Sequence, residues 1–154
     1  MSNRSELGRR RLLAAFCLLP VAGVWAAPAP RLVEVWKDPN CGCCKDWVAV
    51  LEKAGFTVRV SDAGNNGARA QLGMPAKLGS CHTARVEGYV LEGHVPVREI
   101  QRLLREKPKA LGLAVPGMPV GSPGMDGPVY AGRKDPYSVL LVQADGGTLV
   151  YQSY

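Results

Sequence analysis

Leu32-Val33-Glu34-Val35-Trp36-Lys37-Asp38-Pro39-Asn40-Cys41-Gly42-Cys43-Cys44-Lys45-Asp46-Trp47 is the stretch on which the fold turns. Its first five residues alternate apolar and polar, the pattern of a half-buried strand. Lys37 to Cys44 reads as a loop. From Asp46 to Ala54, Trp47, Val48, Val50 and Leu51 fall at helical spacing, and Gly55 is placed to end that helix. The chain therefore opens as a strand, a cysteine loop and a helix.

Downstream, Phe56 to Val60 reads as a second strand, with Val58 and Val60 in phase. Gly64-Asn65-Asn66-Gly67 breaks the chain before a short helix, Ala68 to Leu72, which Gly73-Met74-Pro75 ends. Thr83 to Val86 and Tyr89 to Glu92 flank Glu87-Gly88, a two-residue hairpin signal. A helix follows Pro96 over Val97 to Glu106, with Ile100, Leu103 and Leu104 on one face. Tyr137 to Gln143 and Thr148 to Tyr151 flank Asp145-Gly146-Gly147, a closing hairpin expected to extend the sheet. The core order β-α-β-α-β-β-α, with cysteines between first strand and first helix, resembles the thioredoxin-like arrangement. Many such domains carry a threonine and a proline just before the third strand, packed on the cysteine loop. Cys81-His82-Thr83 takes that place, so Cys81 should face Cys41 to Cys44 in space, with His82 standing where the proline would be. Gly88 and Gly93 match the glycines of the hairpin that follows.

Upstream, Arg9-Arg10-Arg11 precedes an uncharged apolar stretch, Leu12 to Trp25, and Val24-Trp25-Ala26 suits a signal peptidase. Residues 1–26 read as a signal peptide cleaved before Ala27, and 27–31 as a leader. The apolar run is short for a membrane span, which needs ~20 residues; an uncleaved anchor is the competing reading. The arginines also resemble a twin-arginine signal, so the export route stays open. Cys17 follows Phe16, unlike a lipoprotein attachment site.

A 154-residue chain that is 47% hydrophobic and 21% charged is neither a disordered tail nor a coiled coil. Its formal charge of +6 falls to about +3 once the signal leaves with four arginines and one glutamate. That is too little, and too dispersed, for a nucleic-acid surface. Four cysteines remain: Cys41, Cys43, Cys44 and Cys81.

Three thiols at a helix N-terminus favour thiolate, and Lys37 and Lys45 push the same way. Clustered soft thiolates select Cu(I), Zn or iron–sulfur clusters over hard cations. Gly42 is expected to let the loop turn both flanking sulfurs inward. Adjacent Cys43 and Cys44 fit poorly with Cys41 in one tetrahedral site, so a bridging, multinuclear Cu(I) thiolate cluster, or a metal with a spare thiol, is more natural. Three readings compete. Cys41 and Cys44 have the spacing of a C-x-x-C redox pair, two structural disulfides suit an oxidising compartment, and zinc could take three thiolates and a histidine.

His82 reads either as a ligand or close partner of the thiolates, or as a strand-edge histidine. His94 caps the turn into the last helix or joins the metal. Leu113 to Gly127 is rich in Pro and Gly, with Met118 and Met125 each following Pro-Gly. Thioethers on a stiff loop suit Cu(I); packing the loop onto the core is the other role.

Lys37-Asp38-Pro39-Asn40-Cys41-Gly42-Cys43-Cys44-Lys45, Ser80-Cys81-His82-Thr83, Glu92-Gly93-His94-Val95-Pro96, Val115-Pro116-Gly117-Met118-Pro119 and Gly121-Ser122-Pro123-Gly124-Met125 together resemble the CopG-like copper-resistance proteins, a family otherwise known as metal-binding proteins of uncharacterised function. The resemblance runs from Leu32 to Tyr151. It implies a single thioredoxin-like domain over residues 32–154, exported to the periplasm, that holds Cu(I) through Cys41, Cys43, Cys44 and Cys81. His82, Met118, Met125 and His94 match its motifs too. The implied partners are copper ions and other periplasmic copper-handling proteins, with no organic substrate turned over and no stable membrane insertion after cleavage. A thiol-disulfide or copper oxidoreductase on the same scaffold is the alternative.

Overall fold

The alternation seen in the opening stretch becomes strand β1, Leu32–Lys37, in a computed structural model that describes residues 30–154. The expected signal peptide, with Cys17, and most of the expected leader lie outside the described residues. Val33 and Val35 face inward, and after a turn helix α1 runs over Gly42–Lys53. Here the structure corrects the sequence reading. The helix starts four residues before Asp46, so Cys43 and Cys44 ride its first turn instead of a loop. Gly42 has no left-handed backbone, and a Cβ there would meet nothing within 4 Å, so no special turn depends on it.

Strand β2, Thr57–Ser61, lies parallel to β1. Helix α2, Asn66–Gln71, starts two residues earlier than expected, and a 3-10 turn at Ala76–Leu78 follows. Strand β3 begins at His82 and runs to Val86, antiparallel to β1, with β4 at Tyr89–Glu92. Helix α3, Val97–Glu106, falls where expected and buries Ile100, Leu103 and Leu104. Strand β5, Gly112–Ala114, was not anticipated; a second 3-10 turn sits at Pro128–Tyr130. The closing hairpin, β6 at Ser138–Val142 and β7 at Thr148–Ser153, extends the sheet as expected. The seven strands form one mixed sheet in the order β2-β1-β3-β4-β5-β6-β7, with three α-helices among the described residues.

The main core joins Val33, Val35 and Ala84 of the sheet to Trp47 and Leu51 of α1 and to Ile100 and Leu103 of α3. Each of the valine, leucine and isoleucine side chains among them, taken wholly out of water, contributes about 1.5–3 kcal/mol. Trp47 also donates its indole N–H to the Val95 carbonyl (2.9 Å), so its one polar atom is satisfied in the core. The register that matters for function pairs Lys37 of β1 with His82 of β3. The chain leaving β1 towards Cys41 and the chain arriving at β3 from Cys81 therefore meet at one end of the sheet. No helix is long and apolar enough to cross a membrane among the described residues.

Candidate metal centre

Cys41, Cys43 and Cys44 come from the N-terminus of α1 and Cys81 from the segment before β3, and their four sulfurs lie within 4.8 Å of one another. Cys43 Sγ is 3.5 Å from Cys41 Sγ and 4.0 Å from Cys81 Sγ. The four converge more tightly than the vicinal pair Cys43-Cys44 suggested. In the structure Cys41 and Cys44 are joined as a disulfide, with Cα atoms 5.4 Å apart, while Cys43 and Cys81 are free. The centre is thus in an oxidised state, with two of the three helix sulfurs tied to each other. Cys81 does not share the acidity expected at the helix end. Burial, then the neighbouring Cys43, push its pKa up to about 12.

Both histidines are at the centre. His94 Nε2 is 3.1 Å from Cys81 Sγ, and His94 Nδ1 is 2.8 Å from the Pro123 carbonyl oxygen. A carbonyl only accepts, so Nδ1 carries the proton and Nε2 presents its lone pair to Cys81. Burial lowers the His94 pKa, which favours the neutral ring. His94 therefore does more than cap a turn.

His82 is no strand-edge residue. It is fully buried on β3, between β1 and β4, with its ring 4.3 Å from that of Trp47 and edge-on to His94 at 4.9 Å. Its Nδ1 is 3.4 Å from Cys81 Sγ. Burial drops its pKa to about 3, a fall that the Gly93 backbone offsets only in part. No hydrogen bond of ordinary geometry reaches its Nε2.

The Pro/Gly/Met loop lies over the centre and is fastened at two points. Gly117 donates its N–H to the Gly79 carbonyl (3.2 Å) and accepts from the Ser80 hydroxyl. At the other end Pro123 holds His94, and Gly124 rests on the first turn of α1. A Cβ at Gly124 would sit 2.7 Å from the Cys43 carbonyl oxygen, and its φ of +85° suits only glycine. The two methionines part company. Met125 is buried, with the Tyr130 hydroxyl donating to its sulfur (3.1 Å), whereas Met118 is 53% exposed.

Charged and polar residues that the sequence reading passed over hold Cys81 in place. Glu92, fully buried at the end of β4, accepts from the Ser80 N–H (2.7 Å), from Arg69 Nε (2.9 Å) and from the Thr83 hydroxyl (2.6 Å). Arg69 also reaches the Ser80 carbonyl (2.6 Å), as does Asn65 Nδ2 (3.1 Å). Both backbone polar groups of Ser80, the residue preceding Cys81, are thereby fixed. An acidic residue closing the apolar run Tyr89-Val90-Leu91 was the available signal. On the other side, the buried ammonium of Lys37 pairs with Asp62 (2.5 Å).

A family model described as "Protein of unknown function, DUF411" matches residues 78–125, the span from the 3-10 turn before Cys81 to Met125. Two solved forms of a copper resistance protein, CopG, are each 44% identical to this chain, over 81% of its length and 98% of theirs, with a TM-score of 0.74. The chain belongs to the CopG-like copper-resistance family. No curated protein matches it. For a CopG-like protein the centre is an apt one, since its cysteine cluster is able to hold a metal ion. Thiolate sulfurs with two neutral imidazoles form a soft-to-borderline donor set, suited to copper or zinc and ill suited to magnesium or calcium.

Proposed function

We propose that this chain is an exported, periplasmic Cu(I)-binding protein of copper tolerance, a thioredoxin-like domain over residues 32–154 behind a cleaved signal of residues 1–26. Copper is its cargo, bound as a multinuclear thiolate cluster by Cys41, Cys43, Cys44 and Cys81, and received from or passed to other copper-handling proteins. His82 and His94 are the further donors around it, with Met118 a passing contact for the ion and Met125 part of the loop's packing. The observation that carries the reading is the convergence of four sulfurs from two distant segments. The strand order β2-β1-β3-β4, parallel then antiparallel, supports the thioredoxin-like assignment.

Loading requires the reduced state. Two electrons and two protons open the Cys41–Cys44 disulfide into two thiols, and each thiol that binds copper gives its proton to solvent. Buried, neutral imidazoles need lose no proton to join. The test is an anaerobic Cu(I) titration of the reduced protein against a competing chelator, with zinc in parallel. More than one tightly held copper per chain, with the luminescence of a shielded Cu(I) thiolate core, is the expected result. One weakly held copper overturns the cluster.

A second reading, a thiol-disulfide or copper oxidoreductase, is favoured by one observation, the Cys41–Cys44 disulfide itself at a helix N-terminus. Insulin reduction and copper-redox assays decide it; inactivity in both removes it.

A further inference from the structure

Two donor groupings exist at this centre, and the cysteines are only one of them. Cys81 Sγ also groups with a ring nitrogen from each of His82 and His94, all within 4.8 Å of one another. The two groupings share Cys81 alone. The disulfide removes two of the four sulfurs from the first grouping and nothing from the second. Building on the reading of this centre as a copper site, we propose that the disulfide form of the chain carries a separate mononuclear site for a divalent ion of borderline softness, Cu(II) or Zn(II), with Cys81, His82 and His94 as its ligands.

The donor set argues for that class of ion. One thiolate with two imidazoles is the trigonal set that proteins use for cupric ions, and it serves zinc as well; an all-sulfur set suits cuprous copper better. The position of His94 argues for it too. Metal-binding histidines almost always donate their other ring N–H to a carboxylate, carbonyl or water, which fixes the ring and its tautomer. His94 makes that bond to Pro123 with no metal needed, leaving Nε2 aimed at Cys81.

His82 supplies a third argument. It is wholly buried, and its Nδ1 lies 3.4 Å from Cys81 Sγ. A neutral imidazole held by the core with one nitrogen beside that sulfur is placed to ligate there. Binding moves no electrons: the divalent ion displaces one proton from the Cys81 thiol, which leaves for solvent. The state of the Cys41–Cys44 pair then chooses the cargo, cuprous copper on four thiolates when reduced and a divalent ion on sulfur and imidazole when oxidised.

The experiment uses the full chain in its disulfide form, titrated with Co(II) as a spectroscopic probe and then with Zn(II) to displace it. One equivalent should bind, with an intense near-ultraviolet sulfur-to-cobalt band that is lost in Cys81→Ser and weakened by at least ~10-fold in affinity in His94→Gln. Ring nitrogen-15 signals of the unsubstituted protein add a readout that no folding defect can confuse: Zn(II) should shift both His82 and His94. Unshifted histidines overturn the site. So does a band that survives His94→Gln but is lost in Cys43→Ser, which would assign the metal to a Cys43–Cys81 thiolate pair. The Cu(I) titration of the reduced chain separates this inference from its parent. Cobalt binding without Cu(I) binding supports the site and overturns the copper-cluster reading; Cu(I) binding without cobalt binding overturns the site alone.

Discussion

Cys41, Cys43 and Cys44 sit at the opening of α1, where Cys41 caps the helix without a side-chain hydrogen bond and is tied by its N–H to the Asp38 carbonyl (3.1 Å) and by its disulfide to Cys44. Cys81 stands across from them in a different setting. The residue before it, Ser80, has its N–H gripped by a fully buried carboxylate and its carbonyl by a guanidinium and a carboxamide. Its thiol meets a histidine whose tautomer is fixed from behind. One half of the centre can change its bonding, from disulfide to thiols, with short movements at a helix end. The other half is a fixed post. A site built this way can change its ligand number while one sulfur and two imidazoles keep their places.

The largest expected effect falls on the fixed half. Glu92→Gln removes a buried charge and leaves Arg69, whose side chain is only 13% exposed, without its partner. Breaking a buried pair from one side costs about 3–5 kcal/mol. Guanidinium unfolding of the reduced, metal-free protein should show a loss of that size. A change under ~1 kcal/mol, the value of an exposed ion pair, would mean the clamp does not hold Cys81.

On the changeable half the same experiment should show little, and copper binding should show much. Cys41→Ser takes away one sulfur of four, and Cu(I) affinity in chelator competition should fall by more than ~100-fold, beyond the usual cost of losing an outer partner of a ligand. That is about 2.8 kcal/mol of binding. Unchanged stoichiometry and affinity would overturn both the ligand assignment and the contrast between the halves.

How far the sequence could see follows the same division. Strand alternation in β1, the helical face of α3 and the turn at Glu87-Gly88 are local signals, and all three are found in the structure. The start of α1 was misplaced because Pro39, Asn40 and three cysteines carry no strong helix signal and no capping side chain marks the end. Strand β5 was missed because it is three residues long and begins with a glycine. Gly112 is there for a reason no pattern displays: a Cβ would fall 1.7 Å from the Val90 carbonyl oxygen on the neighbouring strand. Opposition of Cys81 to Cys43 was expected through the resemblance of motifs, whereas the clamp of Glu92, Arg69 and Asn65 joins residues up to 27 positions apart and has no local signature. Which cysteines pair cannot be deduced from spacing alone.

A smaller effect, read against pH, sharpens the picture of the post. The Cys81 thiol is pushed up to about 12, so below that pH a copper ion must displace its proton. The thiolate fraction grows tenfold per pH unit, and this group alone makes Cu(I) affinity rise by a factor of ten per unit across pH 6 to 8. His82, with its pKa near 3, is already neutral there and adds nothing to the slope, and burial shifts His94 in the same direction. Competition titrations at pH 6, 7 and 8 measure it; a flat profile would mean Cys81 is not a ligand.

The smallest effect is expected at Met118, and the reason is its exposure. Met125 is buried and its sulfur is taken by Tyr130, so truncation there confuses packing with binding. Met118 protrudes beside Gly117, which is bonded to Gly79 and Ser80 next to the fixed post. Met118→Ala should leave stability within about 0.5 kcal/mol, as for most exposed positions. Equilibrium copper affinity should also change little, since the four sulfurs and two imidazoles are untouched. In the copper-carrier reading proposed above, an exposed thioether next to Gly117 acts instead on transfer, giving Cu(I) a soft foothold on its way in or out. Stopped-flow removal of copper by a chelator should slow in Met118→Ala while affinity stays the same. A fall in affinity matching that in rate would place Met118 among the ligands of the cluster and move the contrast between the halves onto the loop that covers them.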